Sequence, residues 1–377
     1  MRLSKMMCLL AAHGLYISTV SAVLDRSRSQ FKAWFPTIET YSKEHWMKED
    51  CPQEFEAYFD ENLKEEAGVH RYSSDLMNCI LNVYGEVNKA NMAVTAILLA
   101  LLPGGLVQFG PSMAEISLLS TRRPLLAILL GFGLMSPNPT EFEYEAILEK
   151  ASNNNEPLVP LRILDGRSFA AKALVSFVEY GIGLAATGNL FWEVYRFTYR
   201  AISLAPMVVY IHGLPETSIL FGWAFLNLPI YLLSFGVFAL NFRRTTPGSN
   251  FVRLIVDELT PCGQGRNHTI KRRDNRLFLQ NLLGTAVRVI GGLHIILGTV
   301  LIGSIVLIPL ADSLPVIYTF VFAALFTRAV LVYELNGLAR KTTVEKEKEK
   351  MPREVDAEAK GLLCVNCIPL NQRDMEE

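Results

Sequence analysis

Glu179 and Arg328 are ionisable side chains set inside apolar runs, where a charge is costly and usually marks a role. Glu179 stands six residues into the run 173–192, and Arg328 stands five residues before the end of 314–333. Helices running in opposite directions would place both at similar depth near one membrane face. They would then form a carboxylate–guanidinium pair if the helices are neighbours, or else each would snorkel to the interface by itself. His294, in GGLHIILG, either titrates near neutral pH or hydrogen-bonds to a neighbouring helix. Asn227 and Pro229, in FLNLPIYLL, predict a kinked, polar centre whose freed carbonyl lines a cavity or meets a donor on the next helix.

Chemistry beyond these charges finds little support. There is no H-E-x-x-H, G-x-S-x-G or Walker A pattern, and FGPSMAE carries Ala114 where a nucleophile elbow needs glycine. GQGRN lacks the third glycine of a dinucleotide loop. Cys364 and Cys367 form a lone C-x-x-C with no second pair and no nearby histidine, a poor zinc set that is open to S-acylation or to remaining as free thiols. No catalytic residue, metal site or cofactor is therefore assigned. Cys51 and Cys79 are the only cysteines of the segment 23–91, and in an oxidising compartment they are either a disulfide or two buried thiols.

The elements that must hold these residues are apolar blocks of membrane-spanning length. Half of the 377 residues are hydrophobic, and the formal net charge of −1 gives no general affinity for nucleic acid. Residues 1–22 have the layout of a secretory signal peptide: Arg2 and Lys5, an apolar stretch, then Val20-Ser21-Ala22. An uncleaved anchor is the alternative. Residues 23–91 read as a small lumenal helical domain. Pro52 opens one amphipathic helix with Phe55, Tyr58, Phe59 and Leu63 on its face. Ser73 or Ser74 caps a second helix bearing Leu76, Ile80, Val83 and Val87.

The fold class is all-α, a multi-pass transmembrane bundle. The transmembrane domain is 92–333, with spans at about 92–109, 173–192, 218–240, 289–311 and 314–333, and a disordered cytoplasmic tail at 334–377. Pro103-Gly104-Gly105 predicts a kink in the first span, and Asp312-Ser313 reads as the turn between the last two. The run 124–136 has only 13 residues, a length suited to a re-entrant or interfacial segment. The positive-inside rule agrees. With five spans, the segments 111–172, 241–288 and the tail carry six, nine and eight Lys or Arg on the cytoplasmic side, against two in the lumenal segment 193–217. A sixth crossing would reverse the two segments that follow it. Arg122 and Arg123 then read as headgroup anchors, as do Lys271, Arg272, Arg273 and Arg276 before the fourth span, where they face anionic inner-leaflet lipid. The sequon at Asn267 would be cytoplasmic and unused. Gly284, Gly291, Gly292, Gly298 and Gly303 form a small-residue surface for helix packing.

The block ALLPGGLVQFGPSMAEISLLSTRRPLLAILLGFG, residues 100–133, resembles a recurring block in multi-pass membrane proteins of filamentous fungi, in which Gly-Pro-Ser, Ala-Glu-Ile-Ser-Leu-Leu and Arg-Arg-Pro follow the first span. The resemblance implies membrane topology and fungal origin and transfers no catalytic residue. Within it, Glu115 and Arg122 are two helical turns apart and share a face if 112–121 is helical. The expected function is a non-enzymatic sensor, scaffold or partner subunit of a secretory-pathway membrane. The alternative is a solute or ion transporter, or channel-like protein, using Glu179, Arg328, His294 and Asn227.

Overall fold

The computed structural model describes residues 31–60, 62–63, 71–139, 144–153, 166, 168–208, 217–244, 251–265, 267–272 and 277–346. The expected signal peptide, Arg273, Arg276, Cys364 and Cys367 lie outside these residues.

The N-terminal domain is built from α1 (Pro36–Tyr41), a π-helical continuation (Ser42–Asp50), α2 (Pro52–Phe59) and α3 (Arg71–Val83). Proline at the first helical position starts both α1 and α2, where its missing N–H costs nothing. Cys51 and Cys79 form a disulfide that ties α2 to α3, with Cα atoms 6.1 Å apart. The core is aromatic. Phe31, Trp34, Trp46, Phe55 and Tyr58 pack with Leu76, Met77 and Ile80, and edge-to-face contacts link Phe31 to Tyr58 and Trp34 to Trp46. Val83 and Val87 do not join the expected apolar face: the helix stops at Val83 and a new one begins past Gly85, leaving both side chains exposed. Neither Ser73 nor Ser74 is an N-cap, because the helix starts at Arg71 and Ser73 is buried within it.

Among the described residues, five helices are long and apolar enough to cross a membrane. The first is α4 (Glu86–Phe109), which runs through Pro103 without ending. After it come three short helices, α5 (Met113–Ser120), α6 (Pro124–Phe132) and α7 (Tyr144–Asn153). The second span is α8 (Phe169–Arg200), followed by β1 (Ile202–Ser203) and α9 (Leu204–Val208). The third span is split into α10 (Ser218–Phe225) and α11 (Asn227–Asn241). Pro229 has no N–H for the turn before it, and the helix breaks at Leu226. Next come β2 (Phe242–Arg244), α12 (Phe251–Glu258), a 3-10 turn (Cys262–Gln264) and β3 (His268–Arg272). The fourth span is α13 (Leu277–Gly303), then β4 (Ile305–Val306), the fifth span α14 (Leu310–Lys341) and β5 (Thr342–Lys346).

Two small sheets mark the two ends of the bundle. At one end β1 pairs antiparallel with β4, and Ile202, Met207 and Leu307 enter the core of the N-terminal domain. This is the proximal end. At the opposite, distal end β3 is central, antiparallel to β2 and parallel to β5. The long helices present Ile97, Leu101, Phe177, Leu184, Leu293, Ile296, Phe322 and Leu325 outward. A helix apolar on its outer face as well as its inner one suits hydrocarbon. The chain is an all-α, multi-pass helical bundle.

Three boundaries differ from the sequence reading. The turn between the last two spans is Ser304–Pro309, not Asp312-Ser313, because β4 is drawn into pairing with β1 and Leu307 adopts a left-handed φ of 62°. Asp312 instead sits in the first turn of α14 and accepts the Thr37 N–H at 3.2 Å. The last helix continues past Tyr333 to Lys341, and Glu334, Leu335, Asn336, Gly337 and Leu338 are buried rather than part of a tail. The fourth span begins at Leu277 rather than 289, as polar Gln280 reaches the Leu240 carbonyl at 3.2 Å.

Candidate functional site

The first span ends at Phe109, and Gly110-Pro111-Ser112 interrupts it before α5 resumes. Ser112 caps α5 reciprocally: the Glu115 N–H donates to Ser112 Oγ at 3.2 Å, and the Ser112 N–H donates to Glu115 Oε2 at 2.8 Å. A span broken in this way leaves carbonyls at one helix end and N–H groups at the next. Asn138 takes up both kinds of group. Its side-chain amide donates to the Val107 carbonyl at 2.9 Å, and its own carbonyl accepts the Met113 N–H at 2.9 Å.

Between these points the chain makes a hairpin within the bundle. It starts at Arg123, beside Glu179 of α8. Helix α6 then climbs along α8: Gly183 lies under Leu129, the Thr187 hydroxyl donates to the Leu129 carbonyl at 3.1 Å, and Phe132 stacks on Phe191. At the apex the Asn227 amide donates to the carbonyls of Leu134 and Met135, at 3.1 and 3.3 Å. The chain then returns past Pro139, which touches Gly291, to Tyr144 against Phe238 and Phe242 at the distal end. The hairpin enters and leaves by one end. Nine residues of helix reach about 13 Å, which is under half of a hydrocarbon core.

A buried ionic cluster closes the base of this hairpin. Arg123, fully buried, pairs with Glu179 and lies 3.0 Å from Glu334 of α14. It also donates to the Ser176 hydroxyl and, from Nε at 2.9 Å, to the Glu258 carbonyl. The Glu258 carboxylate accepts the Leu125 and Leu126 N–H groups at the start of α6, at 3.0 and 3.1 Å, and the Tyr180 hydroxyl. This places a negative charge where the helix dipole favours one. Glu334 accepts the Cys262 N–H at 3.0 Å, and Arg122 donates to the Cys262 carbonyl at 3.1 Å. Burial opposes the charge on Arg123, but Glu334 and Glu179 outweigh it and hold the guanidinium charged beyond its ordinary range. Burial pushes the Cys262 thiol well up, with Glu334 adding to the effect. Burial also raises the Glu258 carboxyl, against the Tyr180 hydroxyl, the two α6 N–H groups and Arg123.

Beside the helix break lies a pocket of about 270 Å³. Its polar wall carries Ser112, Glu115, Asn138, Lys150 and Arg328. Arg328 pairs with Glu115 across it.

The structure therefore separates Glu179 from Arg328 and gives each another partner, Arg123 and Glu115. Both alternatives were Arg residues or carboxylates in the short-helix block, which span counting set aside as a surface element. Arg122 and Arg123 are likewise not headgroup anchors: both are buried, because α8, α14 and the 258–262 segment close over them. His294 Nε2 donates to the Trp223 carbonyl at 2.9 Å, while Trp223 Nε1 donates to the His294 carbonyl at 3.0 Å, a reciprocal tie between α13 and α10. Asn227 donates to the hairpin apex. Gly291, Gly298 and Gly303 admit Met113, Trp223 and Ala100 closely, whereas Gly292 meets nothing. Lys271 and Arg272 lie in β3 at the distal end, and Asn267 is exposed just before it. Glu115 pairs with Arg328 and not with Arg122, which lies past the end of α5, while Glu258 and Glu334 carry no signal in the sequence.

No family model, curated protein or solved structure matches this chain.

Proposed function

We propose that this chain handles a small polar solute in the membrane, as a transporter or channel-like protein, with the pocket at the first-span break as its solute site and the α6 hairpin as the element that opens or closes it. The observation that carries this reading is a polar pocket at the junction of two half-helices, beside a hairpin that enters and leaves by one end. Irregular backbone at membrane depth is stable where protein buries it or water lines it, and interrupted helices at a polar site are the usual way a bundle presents backbone dipoles to a solute. Glu115 and Arg328 are the intramembrane charges that serve the site, in place of Glu179 with Arg328.

The test is flux. The full chain, reconstituted in liposomes, should raise the permeation of small polar solutes above that of empty vesicles, and Arg328→Gln should reduce it. Flux equal to empty vesicles across anionic, cationic and neutral solutes would overturn the reading. The second reading, a sensor or partner subunit, is favoured by one observation: the disulfide-tied N-terminal domain shares its core with β4 and the Ile202–Met207 segment. A partner docking there would be transmitted directly to two spans. On either reading we place the N-terminal domain in the lumen or outside the cell and the distal end in the cytoplasm, facing anionic lipid.

A further inference from the structure

We infer that the pocket at the helix break binds a small organic carboxylate, through Lys150 and the polar edge of α5. This deepens the proposed solute reading and rests on it for its biological meaning, though binding is measurable without flux.

Charge sets the sign of the ligand. Among the described residues the pocket wall holds two cations, Arg328 and Lys150, and one carboxylate, Glu115. Glu115 is paired with Arg328 and accepts the Ser112 N–H, both at Oε2. Arg328 is correspondingly engaged, so Lys150 supplies the surplus positive charge, and it has no ion-pair partner among the described residues. The backbone is close to neutral here. At the start of α5 the Ser112, Met113 and Glu115 N–H groups are taken by the Glu115 carboxylate, the Asn138 carbonyl and the Ser112 hydroxyl. The opposing end of α4 is muted, because the Asn138 amide takes the Val107 carbonyl and the Gly110 N–H takes the Leu106 carbonyl at 2.8 Å. A cationic solute would face both Lys150 and Arg328.

Size and lining set the class. A volume of about 270 Å³ lies just below the roughly 300–1,000 Å³ typical of pockets for drug-sized ligands, and well above one water's share of about 30 Å³. Val107 and Ile147 contribute apolar wall opposite the polar groups. A short carbon chain or ring with one carboxylate matches both halves: the carboxylate takes a charge-assisted bond from the Lys150 ammonium and accepts from the Asn138 or Ser112 side chains, and the carbon part lies on Val107 and Ile147.

The experiment uses the full chain in nanodiscs at fixed ionic strength, with thermal unfolding and calorimetry against butyrate, benzoate, butyramide and butylammonium. Butyrate or benzoate should stabilise the protein saturably, and butyramide and butylammonium should not. Lys150→Met, a change on an exposed helix position, should weaken carboxylate binding by about tenfold or more, and Lys150→Arg should retain it. The inference is overturned if butyramide binds as well as butyrate, if butylammonium binds instead, if Lys150→Met changes nothing, or if no probe saturates. Flux of another solute class without carboxylate binding would remove this inference and leave the transport reading. Carboxylate binding without flux of any carboxylate would do the reverse.

Discussion

Nη1 of Arg123 lies 3.0 Å from Oε1 of Glu334, joining the entrance of the hairpin to the last turns of the fifth span. Both side chains are fully buried, so removing the guanidinium leaves Glu179 and Glu334 without their cation. Arg123→Met is expected to cost about 3–5 kcal/mol, the range for breaking a buried pair. The measurement is a fall in unfolding temperature of the detergent-solubilised chain, with Lys172→Met, at a half-exposed position, as the neutral control.

Charge partners are separable by double-mutant cycles. Glu115→Gln with Arg328→Gln should show a coupling energy of about 0.5–3 kcal/mol, since each single change orphans the other residue. Glu179→Gln with Arg328→Gln should be additive within about 0.5 kcal/mol. Coupling in the second cycle and none in the first would restore the pairing that span depth alone suggests.

Gly133 has no room for a side chain. A Cβ there would stand 2.7 Å from the Ala186 Cβ, on a fully helical stretch of α8 that cannot yield cheaply. Gly133→Ala is expected to lift the hairpin from α8 and to destabilise by about 1–3 kcal/mol. Protease accessibility of the hairpin should rise in parallel. An unchanged cleavage pattern and unfolding temperature would show that α6 does not lie on α8.

Cys262 is buried, and its thiol is held protonated well above the ordinary range. The thiolate is the reactive form, so the native chain at pH 8 should leave Cys262 unalkylated by iodoacetamide, while the unfolded chain is labelled fully. The sign of the linked stability follows. A raised folded-state pKa contributes stability fully present below the unfolded value near 9, lost only as pH climbs above it. Labelling of Cys262 in the native chain at a free-thiol rate would place it outside the cluster.

A glycosylation reporter fused after Glu377 should remain unmodified, as should Asn267. A modified reporter on a membrane-inserted fusion would place the distal sheet in the lumen and reverse the proposed orientation.

Span number and fold class were legible because they depend on length and apolarity, which hydrocarbon dictates residue by residue. The short run 124–136 folds as a nine-residue helix, Pro124–Phe132, in keeping with its length. The ion pairs were not legible. Arg123 and Glu334 are distant in sequence, and Glu334 follows the last apolar block, where composition resembles a tail. Span depth offered Arg328 to Glu179, but depth does not order helices around a bundle. The distal strands were also hidden: TTVEK reads as charged linker, and it pairs only because β3 presents a free edge parallel to it. The aromatic segment before Cys51 lacked amphipathic spacing, since a π-helix shifts the period on which that reading depends.

The Arg123–Glu334 contact also constrains biogenesis. Helix α6 is too short to partition into the bilayer as a span, and the charge at its entrance has a carboxylate partner near the end of the chain. At about 5–20 residues per second, the ribosome delivers Glu334 about 10–40 s after Arg123. Glu179 arrives first, with the second span, and by the time Glu334 follows four spans are complete while the cluster still lacks its second carboxylate. The cluster is thus completed last, and a chain truncated before Glu334 should be handed to quality control as an unfinished protein, even with most of its crossings in place.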